Sequence, residues 1–357
     1  MRKYVDNAVL VMFRRRFLIL AAWLIGVLYY SCSHPEPGLT GPMPVVFYNV
    51  ENLYDTMDDP RVNDQEFLPG SDKEWTQERY RKKLQDIAGV LVEAGKGNLP
   101  AFIGMCEVEN QGVLKDLIST GDLAKGDYGI VHFDGSDSRG IDLAFIYLKD
   151  VFRVTESRLV PVRSNGNTIA GGREMLYISG KTSSGEEIHF FVCHWTSRAS
   201  GVRQSEGRRV EAAKTLREQV NLILQEDNHA KIVIAGDLND LPDDKSISEI
   251  LGARHPDNSR EGDLVNLMYP AYSRGEGSYN YQGRWDMLDH IIVSSALLSG
   301  PGCRVKGGEG YLHKSRLNTF FHPRGMDIPD RTYSGNRYLG GISDHFPVVA
   351  FLGCQTD

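Results

Sequence analysis

The chain has 357 residues, of which 41% are hydrophobic and 24% are charged, and its formal net charge at pH 7 is −7. This composition is typical of a folded globular protein and excludes an intrinsically disordered chain. The acidic balance excludes the overall basic surface of a tight nucleic-acid binder, although a local basic rim would still suffice for a nuclease.

The first 32 residues have the pattern of an export signal. Three arginines at 14–16 precede an uncharged apolar run at 17–30, and small polar residues follow it. The run is shorter than the ~20 apolar residues that a bilayer-spanning helix needs. We expect translation to start at Met12, because the residues before it fit the signal pattern poorly.

Cys32 follows the apolar run and leaves two outcomes open. Either it becomes the acylated first residue of a bacterial lipoprotein, or the general signal peptidase cleaves the chain without a lipid anchor. Removal of residues 1–31 takes away five basic residues and one acidic residue, so the formal charge becomes −11. We expect an exported protein, secreted, periplasmic or membrane-anchored, with a short tether at 33–43.

Strand-like and helix-like segments alternate along the rest of the chain. Apolar runs predict strands at 44–50, 101–108, 142–147, 188–195, 231–238, 289–294 and 346–352. Helical periodicity predicts α-helices at 77–94, 111–119 and 205–226, with Ser205 as the N-cap of the last. Because composition does not change along the way, we predict one α/β domain over 44–354 with two packed sheets.

Polar residues that can take part in chemistry stand where the predicted strands end or begin. They are Asn49, Glu107, His194, Asp237 with Asn239, Asp289, and Asp344 with His345. If these strands share two central sheets, the side chains gather at one edge of the sandwich. Such a cluster of acids, amides and histidines is costly unless a metal ion or hydrogen bonds compensate for it.

Five short segments resemble the signature blocks of the endonuclease/exonuclease/phosphatase superfamily, to which deoxyribonuclease I belongs. They are NVENLYD at 49–55, EVEN at 107–110, HWTSR at 194–198, GDLND at 236–240 and SDHFP at 343–347. They occur in the order of the family's blocks. The resemblance implies a four-layer α/β sandwich, in which helices flank two mixed β-sheets, and a divalent-metal-dependent hydrolase of phosphoric esters.

The resemblance implies a metal site formed by Asn49, Glu107 and Asp344. Glu107 is a hard oxygen ligand suited to Mg²⁺, which binds few protein carboxylates and keeps waters for the substrate phosphate. Asn49 would orient this ligand or touch the metal shell, and Asp344 would supply a second carboxylate or position the attacking water. Mg²⁺ is the expected ion, with Mn²⁺ and Ca²⁺ as alternatives.

The catalytic residues that the resemblance implies are Asp237, Asn239, Asp289 and His345. Asp237 would orient or deprotonate the attacking water, and Asn239 would stabilise charge on the phosphoryl oxygens. Both side chains would face the same way if they alternate along a strand, whereas an Asp-x-Asn turn is the alternative. His345 would contact the scissile phosphate, with its imidazole held by Asp289.

A second histidine, His194, indicates a phosphodiesterase within the family. It would hydrogen-bond the phosphate or protonate the leaving alkoxide, and Asp142 is the expected carboxylate partner of its imidazole, unless Asp142 only caps its strand. Arg173 resembles the phosphate-contacting arginine of the deoxyribonuclease branch. The alternative for Arg173 is a surface ion pair with Glu174.

Arginines near His194 would form a local basic rim. They are Arg198, Arg203, Arg208 and Arg209. Arg198 is the candidate for phosphate binding, since phosphate contacts supply much of nucleic-acid affinity. The alternative is a solvated loop and helix start. Trp195 would stack on a base, lie against a lipid headgroup or fill the core.

The favoured substrate is nucleic acid, because of His194, the arginine rim and the export signal. Two rivals would use the same site, namely a phospholipid or sphingomyelin phosphodiesterase and a phosphatase for inositol or sugar phosphates. A lipid phosphodiesterase should show an exposed hydrophobic hairpin, for which the aromatic segment 311–321 is the candidate. A non-catalytic binding protein is a more remote alternative, and no obligate protein partner is evident.

Four cysteines remain besides Cys32. Cys106 and Cys193 lie in apolar strand-like runs and are expected to be small buried residues. Cys303 and Cys354 would form a disulfide if the compartment is oxidising. None of the cysteines has the close paired spacing of a zinc site.

Overall fold

Side chains of the central strands alternate between two apolar cores, and this alternation sets the layers of the fold. The structure is a computed structural model that describes residues 41–169, 172–323 and 325–354. In the first strand, β1 (Met43–Leu53), Val45 and Phe47 enter one core while Val46 and Tyr48 enter another. Successive side chains of a strand point to opposite faces, so a strand of this composition must be covered on both sides.

Most strands belong to two large mixed sheets. The first contains β1, β2 (Phe102–Val108), β3 (Tyr128–His132), β4 (Asp142–Leu148), β16 (Arg304–Val305), β17 (Tyr311–Leu312) and β22 (Val348–Gly353). The second contains β5 (Phe152–Val160), β8 (Met175–Thr182), β9 (Glu187–His194), β10 (Lys231–Asp237), β11 (Ala253–Arg254), β12 (Leu264–Asn266) and β15 (Asp289–Ser294).

The strand order places the strands that carry the predicted site residues inside the sheets and not at their edges. It is β16–β22–β1–β2–β4–β3 in the first sheet, where β17 also pairs with β22, and β11–β12–β15–β10–β9–β8–β5 in the second. The central pairs β1–β2 and β9–β10 are parallel, so their carboxyl ends open at one edge of each sheet.

The described residues also form small hairpins and helices around the sheets. The hairpins pair β6 (Arg163–Ser164) with β7 (Asn167–Thr168), β13 (Tyr279–Tyr281) with β14 (Arg284–Asp286), β18 (Thr319–His322) with β19 (Met326–Pro329), and β20 (Tyr333–Ser334) with β21 (Arg337–Tyr338). The α-helices are α1 (Gln77–Ala94), α2 (Gln111–Ile118), α3 (Val202–Glu226) and α4 (Tyr269–Ser273). Short 3₁₀ or π turns occur at Gln65–Phe67, Gly121–Lys125, Arg198–Ser200, Ser246–Leu251, Pro256–Asn258 and Ser295–Leu297.

Three apolar cores hold the layers together. The central core lies between the sheets and contains Phe47 and Phe102 from the first sheet and Phe190 and Val233 from the second. A second core joins the first sheet to α1 and α2, and a third joins the second sheet to α3. The order of layers is therefore helix, sheet, sheet, helix, which confirms the predicted four-layer α/β sandwich.

Predicted and observed elements differ mainly at their ends. The helix predicted at 205–226 begins three residues earlier, at Val202. Ser205 lies inside its first turn, where the hydroxyl donates to the carbonyl oxygen of Gly201 at 2.7 Å. An N-cap side chain accepts from a main-chain N–H instead, so Ser205 is not the N-cap. The sequence pattern does not predict β3, β5 or β8, and β5 is largely exposed.

Two of the described cysteines are free and two form a disulfide, as the sequence predicts. Cys106 and Cys193 are free and buried. Cys303 and Cys354, which are 51 residues apart, form a disulfide that ties the segment before β16 to the end of β22. In the chain-entropy description, closing a loop of this length stabilises the fold by about 4 kcal/mol.

The membrane-related predictions concern the amino-terminal end. No helix in the described part of the chain is long and apolar enough to cross a bilayer. The predicted export signal, Cys32 and most of the predicted tether lie outside the described residues. Met43, which the tether was expected to include, is the first residue of β1.

Candidate active site

Three neighbouring strands of the second sheet present His194, Asp237 and Asp289 in one row. Asp237, at the end of β10, pairs in register with His194 of β9 and with Asp289 of β15. Residues that pair in register point to the same face of a sheet, so these side chains lie side by side. Their exposed fractions are between 1% and 5%.

The first sheet brings Asn49 and Glu107 to the same place. β1 and β2 pair in register up to Asn49 and Cys106, and the register shifts directly afterwards. Nδ2 of Asn49 lies 3.1 Å from Oδ2 of Asp237 and 3.3 Å from Oε1 of Glu107, so this amide connects the two sheets. The main-chain N–H of Asn52 donates to Oε2 of Glu107 at 3.0 Å.

These strand ends line a cavity of about 670 Å³. Nine of the eleven residues that the sequence singles out line it, namely Asn49, Glu107, Arg173, His194, Arg198, Asp237, Asn239, Asp344 and His345. Its wall also contains residues that the sequence does not single out, among them Glu51, Arg139, Tyr279, Tyr281 and Arg284. A cavity of this size suits a small ligand or one end of a larger one.

Backbone strain is concentrated around the cavity. Glu51, Glu107 and Asn239 have φ angles of 47°, 63° and 52°, in the left-handed region that residues other than glycine rarely adopt. Each costs on the order of 1–3 kcal/mol and persists only where the surroundings hold it. The surrounding sheets therefore hold the side chains of this site in positions that a relaxed backbone would not give them.

Asp289 holds the imidazole of His345. Oδ2 of Asp289 lies 2.6 Å from Nδ1 of His345, and Nε2 of the same ring lies 3.9 Å from Oδ2 of Asp237. Burial by itself lowers the pKa of His345, but the carboxylates of Asp289, Asp237 and Asp344 outweigh burial and raise the pKa well above its usual value. These carboxylates therefore favour the imidazolium form of His345.

His194 has the opposite electrostatic environment. Its Nε2 lies 3.7 Å from Oδ2 of Asp237 and 3.8 Å from Oε1 of Glu107, which is too far for direct hydrogen bonds. Burial, followed by the positive charge of Arg173, lowers the pKa of His194 well below its usual value. Asp237 thus lies between one charged and one neutral imidazole.

Asp237 and Asn239 do not alternate along a strand as predicted. β10 ends at Asp237, and the main-chain N–H of Asn239 donates to Oδ1 of Asp237 at 3.0 Å, which is the alternative Asp-x-Asn turn. The side-chain amide of Asn239 donates to the carbonyl oxygen of Trp195 at 3.2 Å and still lines the cavity. Burial and the charge of Asp289 raise the pKa of Asp237 from 3.8 to about 7.

Asp142 does not contact His194 within the described residues. Its Oδ1 accepts a hydrogen bond from the N–H of Gly135 at 2.8 Å, and its Oδ2 lies 3.6 Å from Nε2 of His132. The sequence misses this neighbour because it does not predict β3, whose pairing with β4 brings His132 close to Asp142. The prediction that Asp142 is the carboxylate partner of His194 is therefore wrong, because Asp142 lies beside His132 instead.

The two arginines predicted to bind phosphate differ in their surroundings. Arg173 donates to the carbonyl oxygen of Trp195 at 3.0 Å, and its Nε lies 3.5 Å from Asp137 rather than pairing with Glu174. Its guanidinium lines the cavity.

Arg198 is held by acidic residues instead. Its Nη2 lies 2.6 Å from Asp244 and 3.2 Å from Asp240, and its Nη1 lies 3.7 Å from Asp286. These carboxylates compete with a phosphate for the guanidinium of Arg198, although the residue lines the cavity, so its role in phosphate binding stays a prediction.

The predicted basic rim is partly buried. Arg209 is fully buried, with Nε 2.7 Å from Oδ1 of Asp240. Arg203 and Arg208 are exposed near the start of α3. Trp195 is buried in the core between the second sheet and α3, so it fills the core and is not available to stack on a base or a headgroup.

A buried lysine beneath the site has no signal in the sequence. Lys83 belongs to a charged run of α1, yet it is buried and donates to the carbonyl oxygen of Glu51 and, at 2.8 Å, to the hydroxyl of Thr332. The main-chain N–H of Thr332 donates to the carboxylate of Glu51 at 2.7 Å. Burial and the charge of Asp344 raise the pKa of Glu51 from 4.5 to about 8.

Asp344 lines the cavity beside an arginine. Its Oδ2 lies 3.1 Å from Nη2 of Arg331, and its Oδ1 lies 3.9 Å from Nε2 of His345. The sequence does not single out Arg331, because it stands in a loop without a recognisable motif.

The donors of the cavity fit a hard divalent cation. The carboxylates of Glu51, Glu107, Asp237 and Asp344 all line it, and Mg²⁺ prefers oxygen ligands of this kind. The raised pKa values of Glu51 and Asp237 show that burial and like charges oppose their ionisation. A divalent cation would neutralise this negative charge.

Comparison with known proteins agrees with this architecture. The sequence profile of the endonuclease/exonuclease/phosphatase family matches residues 44–353. No curated protein matches the chain by sequence. A family member from Bacteroides thetaiotaomicron has a similar solved structure, with a TM-score of 0.55, 18% identity, and coverage of 89% of this chain and all of that one.

Two further solved structures share the fold at low identity. A mannosyl-6-phosphatase from Bacteroides thetaiotaomicron has a TM-score of 0.51 and 18% identity, and the match covers 87% of this chain and 99% of that one. TDP2 from D. rerio, solved with a single-strand DNA product, has a TM-score of 0.51 and 13% identity, with coverage of 88% and 99%.

The family profile covers most of the chain, and the fold and the oxygen-rich cavity agree with it. The chain therefore belongs to the endonuclease/exonuclease/phosphatase family, and it is a metal-dependent hydrolase of phosphoric ester bonds.

Proposed function

We propose that this protein is an exported phosphodiesterase that hydrolyses nucleic-acid phosphodiester bonds by in-line attack of an activated water. The placement of two buried histidines around one carboxylate supports this proposal. Nε2 of His194 and Nε2 of His345 lie 3.7 Å and 3.9 Å from Oδ2 of Asp237. A phosphodiester must release an alkoxide, and a second acid–base group assists that step.

We assign the catalytic metal to Glu107 and Asn49, with Asp344 as a further carboxylate of the same cavity. Asp237, Asp289 and His345 also have ligand atoms within 4.8 Å of one another, but Asp289 already holds His345. When bound, Mg²⁺, or Mn²⁺ or Ca²⁺ in its place, would neutralise charge on the phosphoryl oxygens.

The side chains around the phosphate then have distinct tasks. Asp237 orients the attacking water and takes its proton, since a general base works best with a pKa near the working pH, and its own is raised to about 7. The imidazolium of His345, kept charged by Asp289, stabilises negative charge on the phosphoryl oxygens. Neutral His194 donates a hydrogen bond to the phosphate or the leaving oxygen.

The cavity wall supports a polyanionic substrate with flat bases. Arg173 and Arg284 line the cavity and can contact neighbouring phosphates. Tyr281 is exposed on the same wall, and base–aromatic stacking contributes ~1–3 kcal/mol per base. Because Arg198 and Arg209 are paired internally, the basic surface is narrow, which favours a single strand or a strand end over a duplex.

The amino-terminal sequence supports the proposal that the enzyme is exported. The export pattern at 1–32 and Cys32 support a location outside the cytoplasm, with or without a lipid anchor. There the enzyme would degrade external nucleic acid. The D. rerio TDP2 structure with a single-strand DNA product is consistent with such a substrate on this fold.

A second candidate is a phosphodiesterase for phospholipids or sphingomyelin, and one surface feature favours it. The β18–β19 hairpin exposes Phe320 at 47% and Phe321 at 70%, and Leu317 before it is also exposed. Exposed apolar side chains of this kind suit contact with a lipid interface. The hairpin packs beside β13, which carries Tyr279 of the cavity wall.

The nuclease proposal predicts that the mature protein cleaves single-stranded DNA with Mg²⁺ or Mn²⁺ and not with a chelator. His194→Ala should lower the rate by roughly 10²–10³-fold, the range for the loss of one hydrogen-bond donor that stabilises the transition state. Electrophoresis of a labelled oligonucleotide and of plasmid DNA measures both effects. His229→Ala, which changes an exposed histidine, is the matched control and should keep full activity.

Other substrates separate the alternatives in the same assay. Turnover of an aryl phosphodiester without cleavage of DNA would reject the nuclease and retain the phosphodiesterase. Hydrolysis of sugar or inositol phosphates alone would favour a phosphatase. Failure to hydrolyse any of these substrates with metal present would contradict a catalytic function and favour a binding protein.

Asp289→Asn is predicted to lower the pKa of His345, because it removes the carboxylate that favours the imidazolium. A group with a raised folded-state pKa stays protonated until the pH passes that value, so the alkaline limb of the pH–rate profile should move to lower pH. The rate at pH 8 should fall by about 100-fold. NMR titration of His345 measures the pKa.

The control for this variant is another histidine–carboxylate pair. Asp257→Asn alters the exposed carboxylate 3.7 Å from His255 and should leave the pH–rate profile unchanged. An unchanged pKa of His345 in Asp289→Asn would show that the proposed pair does not control this histidine.

The lipid candidate makes its own prediction. If the hairpin contacts lipid, Phe320→Ser/Phe321→Ser should lower hydrolysis of sphingomyelin vesicles by at least about 10-fold, because the apolar contact surface is lost. Hydrolysis of a soluble aryl phosphodiester should not change. Equal loss on both substrates, or no vesicle hydrolysis by the native protein, would rule this candidate out.

A further inference from the structure

A group of metal-ligand side chains lies outside the catalytic cluster, at the end of β3 and the start of β4. A ring nitrogen of His132 and carboxylate oxygens of Asp134 and Asp142 all lie within 4.8 Å of one another. His132 closes β3, Asp134 follows two residues later, and Asp142 opens β4, the antiparallel partner of β3. The connection between these two strands therefore brings three donors to one point.

His132 gives independent evidence that this point binds a ligand. Its side chain is only 3% exposed, and its Nε2 has no hydrogen-bond partner among the described residues. Oδ2 of Asp142 is 3.6 Å away, which is too far for a hydrogen bond. A buried polar atom without a partner is destabilising, and an ion between the imidazole and the carboxylate would remove that cost.

The carboxylates of Asp142 and Asp134 are both placed to bind an ion beside His132. The N–H of Gly135 donates to Oδ1 of Asp142, which leaves Oδ2 on the side of His132. A Cβ atom at Gly135 would lie 2.7 Å from Oδ1, so the glycine permits this close approach. Asp134 forms an ion pair with Arg61 at 3.3 Å, but both side chains are largely exposed, and such pairs are weak.

We propose that His132, Asp134 and Asp142 bind a divalent transition-metal ion of the Zn²⁺ type at a site separate from the catalytic cavity. One imidazole and two carboxylates, with a position left for water, form a ligand set that suits Zn²⁺. Mg²⁺ prefers ligands that are all oxygen, so the imidazole distinguishes this site from the catalytic one.

The ion acts on the active site through the segment 133–141, which connects its ligands. Within this segment, Oδ2 of Asp137 lies 2.8 Å from Nη2 of Arg139 and 3.5 Å from Nε of Arg173. Both arginines line the catalytic cavity. By fixing the segment at both ends, the ion positions these guanidiniums for the substrate, and its ligands are positioning residues.

Zn²⁺ binding to a chain with a disabled catalytic metal site tests the proposal. We compare Glu107→Gln with Glu107→Gln/His132→Gln by equilibrium dialysis and metal analysis. The added His132→Gln should remove one equivalent of bound Zn²⁺ or weaken its binding by at least about 10-fold. Glu107→Gln/His229→Ala, in which an exposed histidine changes, should bind as Glu107→Gln does.

A second readout follows the segment itself. Zn²⁺ should slow hydrogen exchange across 133–141 in Glu107→Gln, and it should not do so when His132 is replaced. If His132→Gln fails to fold by circular dichroism, Asp134→Asn replaces it, because Asp134 is exposed and its change removes only a ligand.

Two results would overturn the proposal. One is undiminished Zn²⁺ binding by the folded variant that lacks the ligand, and the other is the absence of Zn²⁺ binding by folded Glu107→Gln. The measurement needs no turnover, so its outcome is independent of whether the enzyme cleaves nucleic acid.

Discussion

Buried negative charge at one sheet edge is the constraint on which the rest of the structure depends. Asp237 and Asp289 are almost fully buried in neighbouring strands, and Glu107 reaches the same place from the other sheet. Removing ionised carboxylates from water costs several kcal/mol each unless charges or hydrogen bonds compensate. The imidazolium of His345 and the amide of Asn49 compensate in part. The remaining negative charge is the physical basis for a divalent cation.

The fold keeps these groups close despite their repulsion. Three apolar cores fix the two sheets, and register pairing fixes the row of His194, Asp237 and Asp289. The two histidines of the site have opposite pKa shifts, because burial and Arg173 lower the pKa of His194, whereas Asp289 and Asp237 outweigh burial and raise the pKa of His345. A site with one charged and one neutral imidazole is suited to move protons and to stabilise phosphate charge at the same pH.

Features that depend on local sequence pattern could be predicted, whereas contacts between residues far apart along the chain could not. Polar residues that follow apolar strands revealed the site, because strand ends of a layered α/β fold meet at common edges. The ion pairs of Arg198 could not be predicted, since Asp240 and Asp244 stand more than forty residues away along the chain and only folding brings them together. Lys83 is buried in a charged helical run, where nothing local distinguishes it from its neighbours.

Thermal unfolding with and without Mg²⁺ tests the central claim most directly. The pKa values of Asp237 and Glu51 are raised to about 7 and about 8, so in chelator stability should fall as the pH rises from 5 through these values. Mg²⁺ should then raise the Tm at pH 8 in a concentration-dependent way, with a smaller effect at pH 5 and in Glu107→Gln. Equal Tm values at pH 8 with and without Mg²⁺ would contradict the claim that this charge cluster binds a divalent cation.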